Sequence, residues 1–345
     1  MQRPYDALLV VSFGGPEAME DVMPFLENVL RGKNVPRQRM LEVAEHYKMF
    51  NGVSPINDQN RDLIEAVKKE FQAHDIGLPI YWGNRNWHPL LPDALRQMAE
   101  DGIRNSLAFF TSAYSSYSGC RQYRENIEEA RRQVGDQAPA VDKMRVFFNH
   151  PGFIEANADH VRQAMGRLSG KGRDSVLLFT AHSIPTAMAE NCRYEAQLKE
   201  ASRLVAEAVG HEDHRLVYQS RSGPPQQPWL EPDICDALDE VRARGARQVV
   251  VSPIGFTSDH LEVVYDLDHE AAQHCQELGI EMSRAPSAGL HPAFVAMVRE
   301  LVQERIEGRE PRALGPLGLS PHQCRPNCCL YQPRRHGVGQ RAAGG

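Results

Sequence analysis

Short apolar runs rich in β-branched and aromatic residues alternate along this chain with longer amphipathic stretches. Asp6–Phe13 reads as a buried strand, and Gly14-Gly15-Pro16 separates it from a helix over about Glu17–Leu30. Helical periodicity returns near Arg37–Phe50 and Asp58–His74. A strand at Pro79–Gly83, a helix near Leu91–Asp101 and a strand at Asn105–Thr111 follow. The second half repeats the alternation. Strands at Ser175–Ala181, Arg215–Gln219 and Gln248–Pro253 lie between helices at about Ile184–Val209, Pro232–Arg244 and Ser258–Leu278, and Pro292–Ile306 closes the series. Repeated strand–helix units predict an α/β fold, with parallel sheets flanked by helices on both faces.

The pattern divides the chain into a first unit over 1–150 and a second over 151–308. A tail over 309–345, rich in Pro, Gly, Arg and Cys, has no core of its own. The length of 345 residues agrees with two domains, and 41% apolar with 24% charged residues excludes wholesale disorder. A formal charge of −6 argues against a nucleic-acid partner. No run approaches the ~20 apolar residues of a membrane span. The opening residues lack the apolar core of a signal peptide. The expectation is a cytoplasmic protein, at most resting on a membrane surface.

Cysteine placement adds a first chemical feature. Cys120, Cys192, Cys235 and Cys275 are scattered singly, whereas Cys324, Cys328 and Cys329 sit together in the tail. In a reducing compartment such a cluster reads as a metal site before it reads as disulfides.

The second feature is acidic. Between Arg247 and Arg284 there is no Lys or Arg, yet seven acids occur, among them Asp259, Glu262, Asp266 and Glu270. Glu262, Asp266 and Glu270 repeat at four-residue spacing and His274 extends the row, so a helix sets all four on one stripe, about 12 Å from first to last carboxylate. Like charges at that spacing destabilise a helix. A solvated acidic face is one reading; a row of hard oxygen ligands ending at Asp259-His260 is the other. The helix dipole accounts for Asp259 and Glu262 but not for Asp266 or Glu270.

Two strand ends carry histidine. VLLFTAHSIP ends an apolar strand at His182, and VSPIGFTSDHLE repeats the layout at His260. Open α/β sheets bind ligands at the carboxyl ends of strands, and histidine takes up protons near physiological pH. A hydrogen-bonded loop histidine is the competing reading. Hydroxyls and aromatics gather at Gly52–Pro55 and in the loop Tyr114–Tyr123, which suits a flat ligand bearing carboxylates or an ordinary surface loop. Arg31, Lys33, Arg37 and Arg39 either meet carboxylates or are solvated. Gly14-Gly15-Pro16 matches no phosphate-binding glycine motif.

Several separated blocks together carry a resemblance: LLVVSFGGPE, NGVSPIN, the YSGC loop, LLFTAHSIP, VYQSRSGPPQQPWLEP and SPIGFTSDHLEVVYDLDHE. Over Asp6 to about Ile306 the chain resembles the ferrochelatases, iron-inserting enzymes of haem biosynthesis. The YSGC–RQY loop and the tail cysteines look most like the bacterial branch that carries an iron–sulfur cluster. The resemblance implies two pseudo-symmetric Rossmann-like lobes with a porphyrin cleft between them. It implies that His182 binds iron or accepts pyrrole protons, with Glu262 on the opposite wall. Asp266 and Glu270 continue an acidic path for iron or protons. Ser54, Tyr123 and, more weakly, Tyr47 match positions that contact the macrocycle. Phe13 stands where other branches have Tyr or Met, so an axial tyrosine ligand is lost and that face gives packing.

The same resemblance assigns Cys120, Cys324, Cys328 and Cys329 to a [2Fe–2S] cluster, for which four thiolates are the required number. Zinc on the same thiolates is the chemical rival, and a disordered tail with unpaired thiols is the third reading. The implied substrates are Fe²⁺ and a porphyrin. Lack of an apolar lip and a polar, basic N-terminal region favour coproporphyrin III, with four carboxylates, over protoporphyrin IX, with two; a later haem-pathway enzyme is a conceivable partner. Two alternatives stay open: a chelatase for another metal, such as cobalt into a corrin precursor, and a non-catalytic haem or iron carrier.

Overall fold

The apolar run after Asp6 forms strand β1 (Ala7–Ser12), with all six side chains buried. A computed structural model of the chain describes residues 4–32, 35–223 and 226–331. Lys33, Pro224-Pro225 of the QSRSGPP block and the tail from 332 onward lie outside the described residues. Beyond β1 the first half contains α1 (Met19–Val29), α2 (Arg37–Lys48), α3 (Ile56–Ala73), β2 (Ile80–Asn84), α4 (Leu91–Glu100) and β3 (Asn105–Phe110). After it come a five-residue π-helix (Tyr117–Arg121), α5 (Gln122–Val134) and β4 (Ala140–Lys143). The second half contains α6 (Pro151–Arg167), β5 (Val176–His182), α7 (Thr186–Ala189), α8 (Tyr194–Val209), β6 (His214–Gln219), α9 (Ile234–Ala243) and β7 (Gln248–Ser252). It continues through α10 (Leu261–Val263), a π-helix (Val264–Ala271), α11 (Ala272–Leu278), β8 (Glu281–Arg284) and α12 (Pro292–Ile306).

The two halves build the same sheet twice. The orders are β2-β1-β3-β4 and β6-β5-β7-β8, and every pairing is parallel. In each, the first strand lies at the centre, so the order reverses beside it and leaves a crevice at its carboxyl end. β1 runs into Phe13 at that point, and β5 ends on His182. Fully covered sheets explain the unbroken apolar strands, LLVV and VLLF, that the sequence displays. The halves are joined through buried contacts: Tyr114 Oη donates to the Ile254 carbonyl at 2.9 Å, and Thr257 Oγ1 to the Thr111 carbonyl at 2.9 Å. α12 returns to pack on both α3 and α6.

Three expected elements differ. The helix expected over Ser258–Leu278 is broken into α10, a π-helix and α11, and that over Ile184–Val209 breaks between α7 and α8. The aromatic loop Tyr114–Tyr123 is instead a π-turn feeding straight into α5; Ser116 caps it by accepting from the Gly119 amide at 2.8 Å.

After α12 the chain turns back across the molecule. Arg145 and Glu304 form a buried bidentate pair at 2.8 and 2.7 Å, and Arg145 also donates to the Arg312 carbonyl at 2.8 Å. Asn149 Nδ2 donates to the carbonyls of Leu314 and Gly318 at 2.8 and 2.9 Å. Those bonds tie the first part of the tail to the junction between the sheets, although its composition offers no core.

Candidate active site and thiol node

β5 delivers His182 to the crevice of the second sheet, half-buried. Gly255 lets the turn after β7 pass close by; a Cβ there would lie 2.6 Å from that of Ala181. His182 Nδ1 donates to the Ser183 carbonyl at 2.5 Å, since a carbonyl can only accept. That bond leaves Nε2 facing Glu262 Oε2 at 3.5 Å. Burial opposes a charge on the ring, but the hydrogen bond and negative charge of Glu262 outweigh it and raise the His182 pKa.

Glu262 lies on α10, and Asp266 and Glu270 follow on the π-helix, so the carboxylate row survives the change of helix type. Asp266 accepts from the Ser220 hydroxyl and from Gln219 Nε2, the latter at 3.2 Å. Burial pushes the Asp266 carboxyl up to about 7, partly offset by the Ser220 bond and reinforced by the charges of Glu262 and Glu270. Ser220 holds a left-handed backbone with φ 60°, which a serine adopts at a cost. Gln219 pairs in register with His182 and accepts the Ser183 amide at 2.8 Å. A single strand end therefore connects the histidine to the second carboxylate.

The remaining acids leave the row. Arg284, on β8, bridges Asp259 and Asp268 at 2.9 and 2.6 Å, so Asp259 is an ion-pair partner and does not end a ligand row. His274 turns to Asp239 at 3.0 Å and does not extend the stripe. The apparent lack of cations ended at Arg284 in sequence but not in space.

The first half supplies the facing wall. Ser54 is buried and its Oγ accepts the Leu261 amide at 3.2 Å, directly before Glu262. Tyr47 packs against Leu261; burial and the nearby Glu262 charge raise its pKa. Phe13 meets Phe25 edge-on at 6.2 Å and joins the same apolar group. His46 stacks on Tyr265 of the π-helix at 4.1 Å and 4°, a second contact across the crevice. Tyr123 is buried on α5 and is linked to Phe13 through Arg85, whose guanidinium lies 4.5 Å from the Tyr123 ring centre and 5.6 Å from that of Phe13. Sequence reasoning missed Arg85, Tyr265 and Arg284. The QSRSG block had already flagged Gln219 and Ser220 without giving them a role.

The four cysteines gather elsewhere, where the tail crosses the π-turn before α5. Cys120 and Cys328 both act on the Cys324 thiol, and the Cys328 and Cys329 sulfurs are 3.4 Å apart. Cys120 holds the Cys324 thiol below its ordinary range despite burial, helped by Lys143 and Arg124. Arg121 donates to the carbonyls of Pro326 and Cys328 at 2.7 and 3.0 Å. Among the described residues no three or more His, Cys, Asp or Glu already enclose a metal-sized position.

The sequence profile of the family described as ferrochelatase matches residues 5–306. The chain belongs to the ferrochelatase family. It is 62% identical over 334 residues to the ferrochelatase of Rhodopirellula baltica, covering 96% of this chain and 95% of that one. It is 51% identical over 350 residues to the coproporphyrin III ferrochelatase of Streptomyces coelicolor, covering 94% and 93%. The solved structure of SirB from Bacillus subtilis with Fe3+ shares the fold, with a TM-score of 0.54 and 11% identity over 88% of this chain and 97% of that one. Ferrochelatases are metal-inserting lyases, so the enzyme reading stands and haem synthesis is its setting. No helix among the described residues is long and apolar enough to cross a membrane.

Proposed function

We propose that this protein inserts Fe²⁺ into coproporphyrin III, in the cytoplasm, to give the iron porphyrin and two protons. The observation that carries the proposal is the His182–Glu262 pair, 3.5 Å apart, facing the Ser54, Tyr47 and Phe13 wall. With Nδ1 committed to the Ser183 carbonyl, Nε2 is the nitrogen that takes a pyrrole proton, and Glu262 stabilises the imidazolium that forms. Asp266 and Glu270 exchange with water on the incoming iron or relay protons outward. Ser54 and Tyr47 seat the macrocycle from the facing wall, Phe13 packs against it, and Tyr123 acts through Arg85. The four-carboxylate substrate is supported by the exposed basic stretch Arg31, Arg37 and Arg39 beside and on α2, and by the coproporphyrin III relative of Streptomyces coelicolor.

Cys120, Cys324, Cys328 and Cys329 are read as ligands of a resident [2Fe–2S] cluster. Their donor chemistry fits: four thiols in a continuous chain of contacts, one already favouring thiolate, beside two cations. When bound, such a cluster supplies a one-electron centre and a covalent tether. The residues themselves hold the tail against the π-turn through Arg121.

Anaerobic Fe²⁺ insertion with coproporphyrin III and protoporphyrin IX side by side tests the proposal, with the visible spectrum of the protein recorded first. Faster metallation of coproporphyrin III and a reddish-brown protein are expected. Preference for protoporphyrin IX overturns the substrate; binding without metallation points to a carrier. Colourless protein holding stoichiometric zinc overturns the cluster.

A further inference from the structure

A cavity of about 460 Å³ opens between α5, β4 and the tail, away from the His182 crevice. Its floor is apolar, from Phe110, Ile127 and Val141, and its walls are charged. All three acids in those walls are already engaged: Glu125 by Arg121 at 2.7 Å, Glu128 by Arg131 at 3.0 Å, and Asp142 by Arg305 at 3.1 Å. Two cations, the same pair that favours the Cys324 thiolate, have no carboxylate partner among the described residues. Among the described residues Lys143 Nζ donates only to the Met144 carbonyl, at 2.9 Å. Arg124 has no hydrogen bond or carboxylate partner among the described residues, although the other arginines on and beside α5 are each paired with an acid. In a chain of net charge −6, both cations line the same walled recess.

From the tail side these cations meet the Cys324 thiol, and one thiolate leaves their charge in excess. Residues 332–345 contain three Arg and no Asp or Glu. The opposite wall is His322–Cys324 of the tail, which brings one thiol and no carboxylate. We propose that this recess binds a small multivalent oxyanion, of the phosphate or polycarboxylate class, held between Arg124 and Lys143. Guanidinium and ammonium groups together match such a ligand: the first offers a planar fork and the second a point charge. Because the tail forms one wall and α5 with β4 the other, a bound anion bridges tail and first sheet beside Cys324. The site does not need the porphyrin cleft, and it adjoins the thiol node through Cys324.

The test is calorimetric titration of the full chain, purified anaerobically, with sodium pyrophosphate and separately with sodium citrate at constant ionic strength. Saturable one-to-one binding of at least one anion is expected. Arg124→Gln and Lys143→Gln should each weaken it roughly tenfold, the scale of one lost charge-assisted hydrogen bond. Arg124→Lys, which keeps the charge, should weaken it less. Arg96→Gln, on α4 and outside the cavity, should bind like the parent. Tighter pyrophosphate binding assigns the phosphate class, and tighter citrate binding the carboxylate class. Absence of saturable binding by both anions, or parent affinity in Arg124→Gln and Lys143→Gln alike, overturns the proposal. Thermal unfolding read at the same time guards against misfolding: variants with the parent midpoint that fail to bind support it.

Discussion

Two histidines in this protein face glutamates at almost the same distance, and their proton affinities move in opposite directions. His182 Nε2 lies 3.5 Å from Glu262 in the crevice, and His150 Nε2 lies 3.4 Å from Glu300 beneath the tail. His182 is driven toward the charged form, whereas the His150 pKa is pushed down to about 3 by burial and by the nearby Arg145 and Arg312. The second ring nitrogen explains much of the difference. In His182 it donates to a carbonyl, which suits an imidazolium. In His150 it accepts the Gly152 amide at 3.1 Å and caps α6, so a proton there would break the cap. The His150 Nε2 also lacks hydrogen-bond alignment with Glu300, which is occupied by Arg312 at 2.8 Å. A histidine–carboxylate distance alone therefore does not identify a proton acceptor; what the other nitrogen does, and which charges lie beyond, decides.

The sharpest way to break the comparison is to remove the crevice ring. His182→Ala should lower turnover by more than ~10²-fold, the usual scale for a lost proton acceptor, while porphyrin still binds and the unfolding midpoint holds. Glu262→Gln should act in the same direction. Near-parent turnover in His182→Ala would make this histidine as structural as His150.

The second effect is thermodynamic. The unfolded chain holds the His150 proton below about pH 6.5, and the folded chain does not until about pH 3. Unfolding thus takes up a proton in that window, and stability falls as pH drops through it, by at most on the order of 5 kcal/mol from this group. His150→Asn keeps a cap acceptor and removes the titration. Its denaturant-derived stability should lose less between pH 6.5 and 4 than the parent does. Parallel curves would show that His150 is not a source of the acid sensitivity.

The two regions were also unequally legible. Strand β5 and its terminal His182 stood out because a fully covered strand is an apolar run, and its end is marked by the first polar residues. Glu262, Asp266 and Glu270 showed as a row because their spacing is local. Arg284 hid because it neutralises Asp259 and Asp268 from the next strand, and Arg85 because its ring partners come from the residue after β1 and from α5. The His150 environment was not readable at all: Arg145, Glu300, Glu304 and Arg312 meet there through a tail whose composition predicts no packing. The helix-type change over Val264–Ala271 left no mark, since four-residue spacing fits either helix closely enough over two turns.

The smallest effect concerns Ser220, where backbone and side chain can be separated. Its φ of 60° costs a non-glycine residue about 1–2 kcal/mol, and its hydroxyl is spent on Asp266. Ser220→Ala keeps the strained backbone and removes the hydroxyl. Ser220→Gly removes both, at an entropic cost of about 0.5–1 kcal/mol in the unfolded chain. If strain and positioning are distinct, the glycine variant should equal or exceed the alanine variant in stability by up to about 1 kcal/mol, while both share the same several-fold rise in KM for Fe²⁺ with kcat little changed. The KM against kcat split matters because a merely structural serine would move stability and leave the iron dependence alone. An alanine variant with parent KM would show that Asp266 needs no help from this hydroxyl. The link from His182 through Gln219 to the acidic row would then be a matter of packing.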